Sequence, residues 1–203
     1  MAIEEIRKLL ESVPEGAMIA TRQVLHLAKN RGAIDTAMSR LHANKEITRI
    51  AWGLYIKGGP NTPQPSITEI AHAKARAFHK IIAGVSSQFA RQVGLPQQEY
   101  PAEMFAVSGR SSRIWSSQGA IQYVGASMRK LLLADSQVGT QLRTMWHLGK
   151  GSNPALFLEH TIKGWTERDW DECATRFEQL PEWLSKMLAL PTARSGSTQF
   201  ILG

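Results

Sequence analysis

Apolar residues in the first part of the chain recur at helical intervals. A first helix, ended by Pro14 and Gly16, is predicted by residues three or four positions apart: Ile3, Ile6, Leu9, Leu10 and Val13. A brief extended segment follows. Thr21 is then the candidate N-cap of a second helix that runs to about Ala28, and residues 29–32 form the turn that comes after it.

A third helix is predicted from about Ile34 to Asn44, with its apolar residues Ile34, Ala37, Met38 and Leu41 on one face. The opposite face turns toward solvent and carries Asp35, Thr36, Ser39, Arg40 and Ala43. Two β-prone runs, 47–50 and 54–56, are joined by three residues that end in Gly53, which fits a hairpin with a bulge. Helix, helix, turn, helix and hairpin is the order of a winged helix-turn-helix, so residues 1–57 are predicted to be a DNA-binding domain.

The segment after this domain begins with a predicted linker, residues 58–65, which is rich in Gly and Pro. Ser66 and Glu69 then have the spacing of a capping box and open a helix to about Ile82, and a shorter helix is predicted over 85–93. Three β-prone runs separated by turns predict a small antiparallel sheet: 104–107, 113–115 and 120–124.

Helical spacing returns after the predicted sheet. The predicted helices span about 128–133, 137–148, 154–163, 167–179 and 181–190, and residues 191–203 are predicted to be a flexible tail. The predicted fold class is therefore α+β. An N-terminal winged helix-turn-helix is followed by a mixed domain, residues 66–190, with a small antiparallel sheet and several helices.

Composition narrows the class of protein. The chain has 203 residues, of which 43% are hydrophobic and 20% charged, and this is typical of globular domains rather than of disordered or fibrous chains. Its single cysteine, Cys173, excludes an internal disulfide and a thiolate-rich zinc site. The first residues do not have the pattern of a signal peptide, and no apolar run is long enough to span a bilayer. We therefore expect a cytoplasmic protein with no membrane partner.

The net charge of +7 is unevenly distributed along the chain. Residues 1–60 carry a net charge of +3, residues 61–150 of +6, and residues 151–203 of −2. Such an excess attracts polyanions, although net charge also serves solubility alone. Next to a predicted winged helix it favours double-stranded DNA, and because one small module makes few base contacts, we expect a homodimer or cooperative binding on repeated half-sites.

Candidate DNA contacts follow from the predicted elements. Thr36, Ser39 and Arg40 on the third helix have the donors and lengths that base edges require. Arg49 and Trp52 lie on or near the wing, and Arg22 and Lys57 add positive charge for phosphates. An exposed arginine is often only solvated, and a tryptophan such as Trp52 often packs against its own hairpin.

Several stretches of the chain resemble a known family. Gly16-Ala17-Met18-Ile19, residues 37–41 and residues 47–55 are similar to the N-terminal winged helix of the AbiEi-type antitoxins of type IV toxin–antitoxin systems. Other stretches resemble the domain that follows in a related branch: residues 82–84, Ala90, residues 93–95, 105–109 and 112–113, and Leu148-Gly149-Lys150. The resemblance covers about residues 3–150.

This resemblance implies a transcriptional repressor of its own operon. It also implies an antitoxin that neutralises a nucleotidyltransferase-like toxin, functionally rather than by direct contact, with the second domain as the part associated with antitoxicity. At the matched positions it implies DNA contacts for Thr36, Ser39, Arg40, Arg49 and Trp52.

Candidate chemistry is confined to one loop. Arg110, Ser111, Ser112 and Arg113 offer guanidinium and hydroxyl groups for a phosphate or other anion, or they form a solvated hairpin turn. Glu69 and His72 have the spacing of a metal-ligand pair, but no second pair accompanies them and Glu69 fits the helix cap. We therefore predict no metal, no cofactor and no enzymatic activity.

Two other functions fit part of the pattern. A nucleic-acid- or nucleotide-processing enzyme would use the winged helix to deliver its substrate and residues 109–113 to hold phosphate, although residues 61–150 contain only four acidic residues. A protein-interaction adaptor would use the same helices and hairpin without nucleic acid. Replacing Arg40 and Arg49 distinguishes DNA binding from the adaptor.

Overall fold

The chain is a mixed α+β protein, as predicted, in a computed structural model that describes residues 2–86, 103–133, 135–150, 156 and 163–192. It divides into two compact units. The first unit comprises Met1–Ile82 and Gly109–Gly125, and the second comprises Ala83–Ser108 and Ala126–Gly203. Within the described ranges, none of the helices combines the length and apolarity needed to cross a membrane.

The first unit begins with three helical segments around one core. Its elements up to the hairpin are α1 (Ala2–Glu11), β1 (Met18–Ala20), a 3₁₀ helix (Thr21–Leu27), α2 (Arg31–Ala43), β2 (Ile47–Ala51) and β3 (Leu54–Lys57). The core joins Ile6 of α1, Val24 of the 3₁₀ helix, and Ile34 and Leu41 of α2. The inward and outward faces predicted for the third helix are both confirmed, because the four apolar residues are buried and the five others are exposed.

Two predicted helix starts are wrong. Thr21 is buried and does not cap a helix; the cap position is Ala20, whose backbone N–H donates to Gln23 Oε1 at 2.9 Å, and the segment that follows is a 3₁₀ helix. The third helix begins at Arg31 rather than Ile34. Asn30 is the reason, because its side-chain oxygen accepts a hydrogen bond from the Ala33 N–H at 2.9 Å and so caps the first turn.

The predicted hairpin with a bulge is confirmed. β2 and β3 pair antiparallel, with Arg49 opposite Tyr55, and the register shifts before Ala51, which lies opposite Leu54. Ala51 belongs to the strand, so the turn itself is Trp52-Gly53, and Gly53 has a φ of 66° that favours glycine. β1 pairs with the other edge of β3.

α3 (Ile67–Ala77) begins with the predicted capping box. Ser66 Oγ accepts from the Glu69 N–H at 3.3 Å, and the Glu69 carboxylate accepts from the Ser66 N–H at 2.8 Å. The predicted extension to Ile82 is wrong. His79 has a φ of 54°, and the N–H groups of His79 and Lys80 donate to the carbonyls of Arg76 and Ala75, which is the arrangement of a Schellman C-cap.

The first unit is completed by a second hairpin, β6 (Ser112–Ser116) and β7 (Gly119–Ala126), which confirms two of the predicted strands. β6 also pairs with β2, so the strands of this unit lie in the order β1-β3-β2-β6-β7. The phenol of Tyr123 on β7 donates to the Ala71 carbonyl at 3.0 Å and connects the hairpin to α3. The division into compact units places α3 and this hairpin together with the N-terminal elements. The sequence prediction instead places them beyond the linker at 58–65.

The second unit contains neighbouring strands and a helical core. Its elements are β4 (Ile82–Val85, whose first residue belongs to the first unit), β5 (Glu103–Ser108), α4 (Met128–Leu131), α5 (Gln137–Leu148), α6 (Glu167–Thr175), a 3₁₀ turn (Phe177–Gln179) and α7 (Glu182–Thr192). The bounds predicted for α5 are confirmed. Cys173 is buried in the helical core, and burial raises the pKa of its thiol to about 12.

Three predictions for this part of the chain need correction. Val85 lies in β4 rather than at the start of a helix, the helix predicted over 167–179 is interrupted at Arg176, and residues 191–192 continue α7 instead of beginning a tail. Residues 87–93 of the helix predicted over 85–93, most of the one predicted over 154–163, and residues 193–203 lie outside the described residues.

Candidate nucleic-acid interface

The outer face of α2 carries the three residues predicted to contact bases. Thr36, Ser39 and Arg40 are all exposed, and their spacing of three and four residues places them along one side of the helix. Arg31 on the same helix is paired with Asp35, with 3.3 Å between Nε and Oδ2. Among the described residues no carboxylate lies within ion-pair distance of Arg40, so its guanidinium is available to another molecule.

Arg49 lies close to two aromatic rings of the first hairpin. Its Nε and Nη2 donate to the Tyr55 hydroxyl at 3.2 and 2.8 Å. Its Cζ lies 5.6 Å from the centroid of the Trp52 ring and 5.3 Å from that of Tyr55. A guanidinium has five N–H donors, so three remain for an anion. Trp52 is 75% exposed, so the interpretation that it packs against its own hairpin does not describe this side chain.

The turn that presents Trp52 is held by two contacts from elsewhere in the first unit. The Thr21 N–H donates to the Gly53 carbonyl at 3.0 Å, and the Lys74 ammonium donates to the Trp52 carbonyl. Burial, followed by the nearby charge of Arg31, lowers the pKa of Lys74. Nothing in the sequence around Lys74 on α3 indicates this contact with the hairpin, because no local pattern relates positions 22 residues apart.

A small cationic cluster surrounds an exposed phenylalanine at the end of α3. The Arg22 Cζ lies 4.9 Å from the centroid of the Phe78 ring, and the Lys74 Nζ lies 5.5 Å from the same ring. Phe78 is 45% exposed. The predicted residue Arg22 therefore lies on an accessible surface together with Lys74 and Phe78, both of which the sequence analysis missed as site residues.

Lys57 differs from the other predicted site residues because its ammonium group is bonded to the main chain of the same unit. Its Nζ donates to the Val13 carbonyl at 2.8 Å, which connects the end of β3 to the segment after α1. A DNA contact for Lys57 stays a prediction, and this bond already gives its ammonium a partner within the fold.

The predicted anion loop, residues 110–113, is exposed, and two of its side chains form hydrogen bonds with β7. Ser111 Oγ accepts from the Gly125 N–H at 2.9 Å, and the Arg113 Nε donates to Gln122 Oε1 at 3.0 Å. Among the described residues, the Arg110 and Ser112 side chains make no hydrogen bond or ion pair. An anion contact at this loop would therefore depend first on Arg110.

The whole net charge belongs to the first unit. Counted over the sequence, this unit has 14 Lys and Arg against 7 Asp and Glu, whereas the second unit has 10 of each. Several carboxylates of the first unit are already engaged: Glu4 and Glu46 pair with Arg7, Glu5 with Lys8, and Asp35 with Arg31. The remaining cations give this unit a strongly positive surface.

Nothing in the described part of the chain groups three or more His, Cys, Asp or Glu side chains closely enough to hold a metal ion.

No curated protein matches the chain. Residues 5–163, most of its length, match a family of unknown function, DUF6088. The chain therefore belongs to the DUF6088 family.

Proposed function

We propose that this protein is a sequence-specific double-stranded-DNA-binding transcriptional regulator that represses its own operon. The observation that carries the proposal is the confinement of the net positive charge to the first unit, which has 14 basic and 7 acidic residues. Arg40 on α2 and Arg49 on the first hairpin face no carboxylate among the described residues, so they are suited to phosphates and base edges.

The order of elements in the first unit supports a winged helix-turn-helix. In this interpretation α2 is the recognition helix, which places Thr36, Ser39 and Arg40 in the major groove, and the β2–β3 hairpin is the wing. The 3₁₀ helix takes the position of the second helix. The core residues of α2 fix its outward face, and the two contacts to the Trp52-Gly53 turn fix the wing.

The binding site on DNA is expected to contain repeated half-sites. α2 presents only three candidate base-contacting side chains, which is too few for useful discrimination in a genome. Two copies, as a homodimer or through cooperative binding, would read half-sites one helical turn, about 34 Å, apart. No cofactor and no catalytic step are part of the proposal.

The resemblance to AbiEi-type antitoxins extends the proposal. We propose that the protein acts in the cytoplasm as the antitoxin of a type IV pair and neutralises a nucleotidyltransferase-like toxin without touching it, with the second unit contributing this activity. Coexpression with the toxin gene of its own operon tests this step. Growth that is rescued by the full chain supports antitoxicity, and continued growth arrest contradicts it.

The first experiment compares binding to two DNA duplexes. One is the region upstream of the protein's own gene, and the other is unrelated DNA of equal length; both are measured by fluorescence anisotropy at two salt concentrations. We expect the preference for the upstream region to persist at the higher salt, because phosphate contacts weaken with salt more than base contacts do. Equal binding that is lost together as the salt rises would contradict sequence-specific regulation.

Variants then locate the interface. We expect Arg40→Ala combined with Arg49→Ala to weaken binding to the upstream region by at least about tenfold, since a good bidentate base contact contributes about 1–3 kcal/mol. Arg168→Ala combined with Lys186→Ala is the matched control, because it also removes two exposed cations, both from the second unit. Unchanged affinity of the double variant would show that α2 and the hairpin do not form the interface.

A further inference from the structure

Two tryptophans of the first unit are largely exposed to solvent. Trp52 is 75% exposed and Trp115 is 72% exposed, the highest values among the exposed large hydrophobic side chains that the structure describes. Tryptophan side chains are usually mostly buried in folded proteins, so two such exposed indoles in one unit indicate a binding surface.

The pairing of β2 with β6 brings these tryptophans to neighbouring positions. Ala51 lies opposite Ser116, and the Ser117 N–H donates to the Ile50 carbonyl at 2.7 Å. Ala51 directly precedes Trp52, and Ser116 directly follows Trp115, so the two tryptophans flank one pair of this register. Because side chains alternate along a strand, Trp115 lies on the face opposite to Ser116, and it is there that the side chain is exposed.

Both indoles stand on a fixed backbone. The Trp52 carbonyl accepts from the Lys74 ammonium, and the next residue, Gly53, accepts from the Thr21 N–H at 3.0 Å. Trp115 is paired with Ala120 in the regular ladder between β6 and β7. The backbone that carries each indole is therefore set before a ligand binds, which lowers the entropy cost of binding.

Positive charge accompanies each tryptophan. The Arg49 Cζ lies 5.6 Å from the centroid of the Trp52 ring. Arg113 is two residues from Trp115, on the same side of β6, and its Nε is bonded to Gln122 Oε1 at 3.0 Å. Residues 109–125 contain no Asp or Glu. Aromatic faces next to guanidinium groups match a chain of bases joined by phosphates, whereas an apolar protein surface would leave the guanidinium groups without anions.

We infer that Trp52 and Trp115 form a stacking site for unpaired nucleobases, through which the protein binds single-stranded nucleic acid. In a duplex the bases are stacked on one another, so only an unpaired base can present its face to an indole. The shared chemistry is an unpaired base with its phosphates, from DNA or RNA. This inference goes beyond the proposed function, because Trp115 has no part in the contacts of α2 and the wing.

The test measures binding of the full chain to fluorescein-labelled oligo(dT) and oligo(rU) of about 20 nucleotides, a length chosen to exceed the usual site size of about 4–16. We expect Trp115→Ala to weaken binding to single strands about tenfold, which lies within the range for one base stacked on an aromatic side chain. Trp115→Phe should retain most of the affinity. Leu132→Ala, which removes another exposed apolar side chain from the second unit, should retain all of it. The oligo(dT) and oligo(rU) arms distinguish the two sources of the base.

Binding to the upstream duplex, measured in parallel, separates this inference from the proposed function. Trp115→Ala should leave duplex affinity within about twofold, because it removes a stacking face and no cation. If the duplex shows no sequence preference but single strands still depend on Trp115, the proposed function fails and the inference holds. If Trp115→Ala retains its circular dichroism spectrum and its full affinity for single strands, the inference is overturned. It is likewise overturned if that variant loses only self-association in sedimentation, since the indoles would then form a protein contact.

Discussion

The two units of this protein contain similar numbers of basic residues, 14 and 10, but use them in different ways. In the first unit Arg22, Arg40 and Arg49 are exposed, and no described carboxylate pairs with them. In the second unit two arginines bind main-chain carbonyls of the unit itself. Basic side chains are therefore exposed without a carboxylate partner in one unit and bonded to the main chain of the same unit in the other.

Arg143 is the clearest example of an arginine that bonds to main-chain carbonyls of its own unit. Its side chain is fully buried, and its Nε and Nη1 donate to the carbonyls of Gly84 and Leu133 at 2.7 and 2.8 Å. Asp135 lies 3.5 Å from its Nη2. Burial lowers the pKa of Arg143, and the carboxylate of Asp135 opposes this shift. The guanidinium thus connects α5 with β4 and with the segment that precedes α5.

The largest expected effect is therefore the loss of Arg143. Arg143→Met keeps much of the length of the side chain but leaves two carbonyl acceptors without these donors, so we expect the free energy of unfolding to fall by about 3 kcal/mol. Urea unfolding followed by circular dichroism measures it. Arg168→Ala, on the exposed side of α6, should change stability by less than about 0.5 kcal/mol. An Arg143→Met variant as stable as the native chain would contradict the conclusion that the second unit uses its arginines for internal bonding.

A smaller loss of stability is expected for Arg129. Its Nε and Nη2 donate to the carbonyls of Gln179 and Leu180 at 3.2 and 3.1 Å, at the end of a 3₁₀ turn, and its Cζ lies 5.7 Å from the Trp146 ring centroid. Arg129→Ala should cost about 1.5 kcal/mol, since the bonds are charge-assisted but partly exposed. Arg129→Lys should recover only part of this in the same urea titration, because an ammonium lacks the planar fork.

In the first unit we expect the loss of an exposed arginine to affect binding rather than stability. Arg22→Ala should weaken DNA binding about fivefold for every sequence and reduce the dependence on salt by about one phosphate contact. Lys186→Ala removes the same charge from the second unit, where it pairs with Glu182, and should leave both quantities unchanged. An equal effect of the two variants would mean that only the total charge matters.

The smallest expected effect concerns an ion pair of the first unit that depends on pH. The Arg7 Nε and Nη2 donate to the Glu46 carboxylate at 3.0 and 2.8 Å, and these bonds lower the pKa of Glu46 below its ordinary value of 4.5. The stabilisation is present above pH 4.5 and is lost as the pH falls through the lowered pKa. Glu46→Gln should therefore lower the urea midpoint slightly at pH 7, and the difference from the native chain should vanish at strongly acidic pH. A difference in urea midpoint that persists at acidic pH would mean that Glu46→Gln acts through packing and not through the ion pair.

Elements governed by neighbouring residues could be predicted from the sequence. The capping box at Ser66, the bulged hairpin around Gly53 and the bounds of α5 follow from spacings within a few positions. Predictions failed where a residue took an uncommon local role. His79 ends α3 in a conformation that glycine usually adopts, and Asn30 caps a helix a few residues before its apolar pattern begins. The exposed arginines of the candidate site were found in the same local way, from the helical spacing of α2 and the position of the hairpin.

The sequence by itself determined the mixed α+β class, the outward face of α2 and the total charge, because these depend on periodicity and counting. Only the tertiary structure decided which cations face solvent and which bind carbonyls, since burial depends on residues far apart in the chain. It also decided that the residue before Trp52 pairs with the residue after Trp115, through the pairing of β2 with β6. Partners in a sheet are chosen by long-range packing, and no short stretch of sequence contains that information.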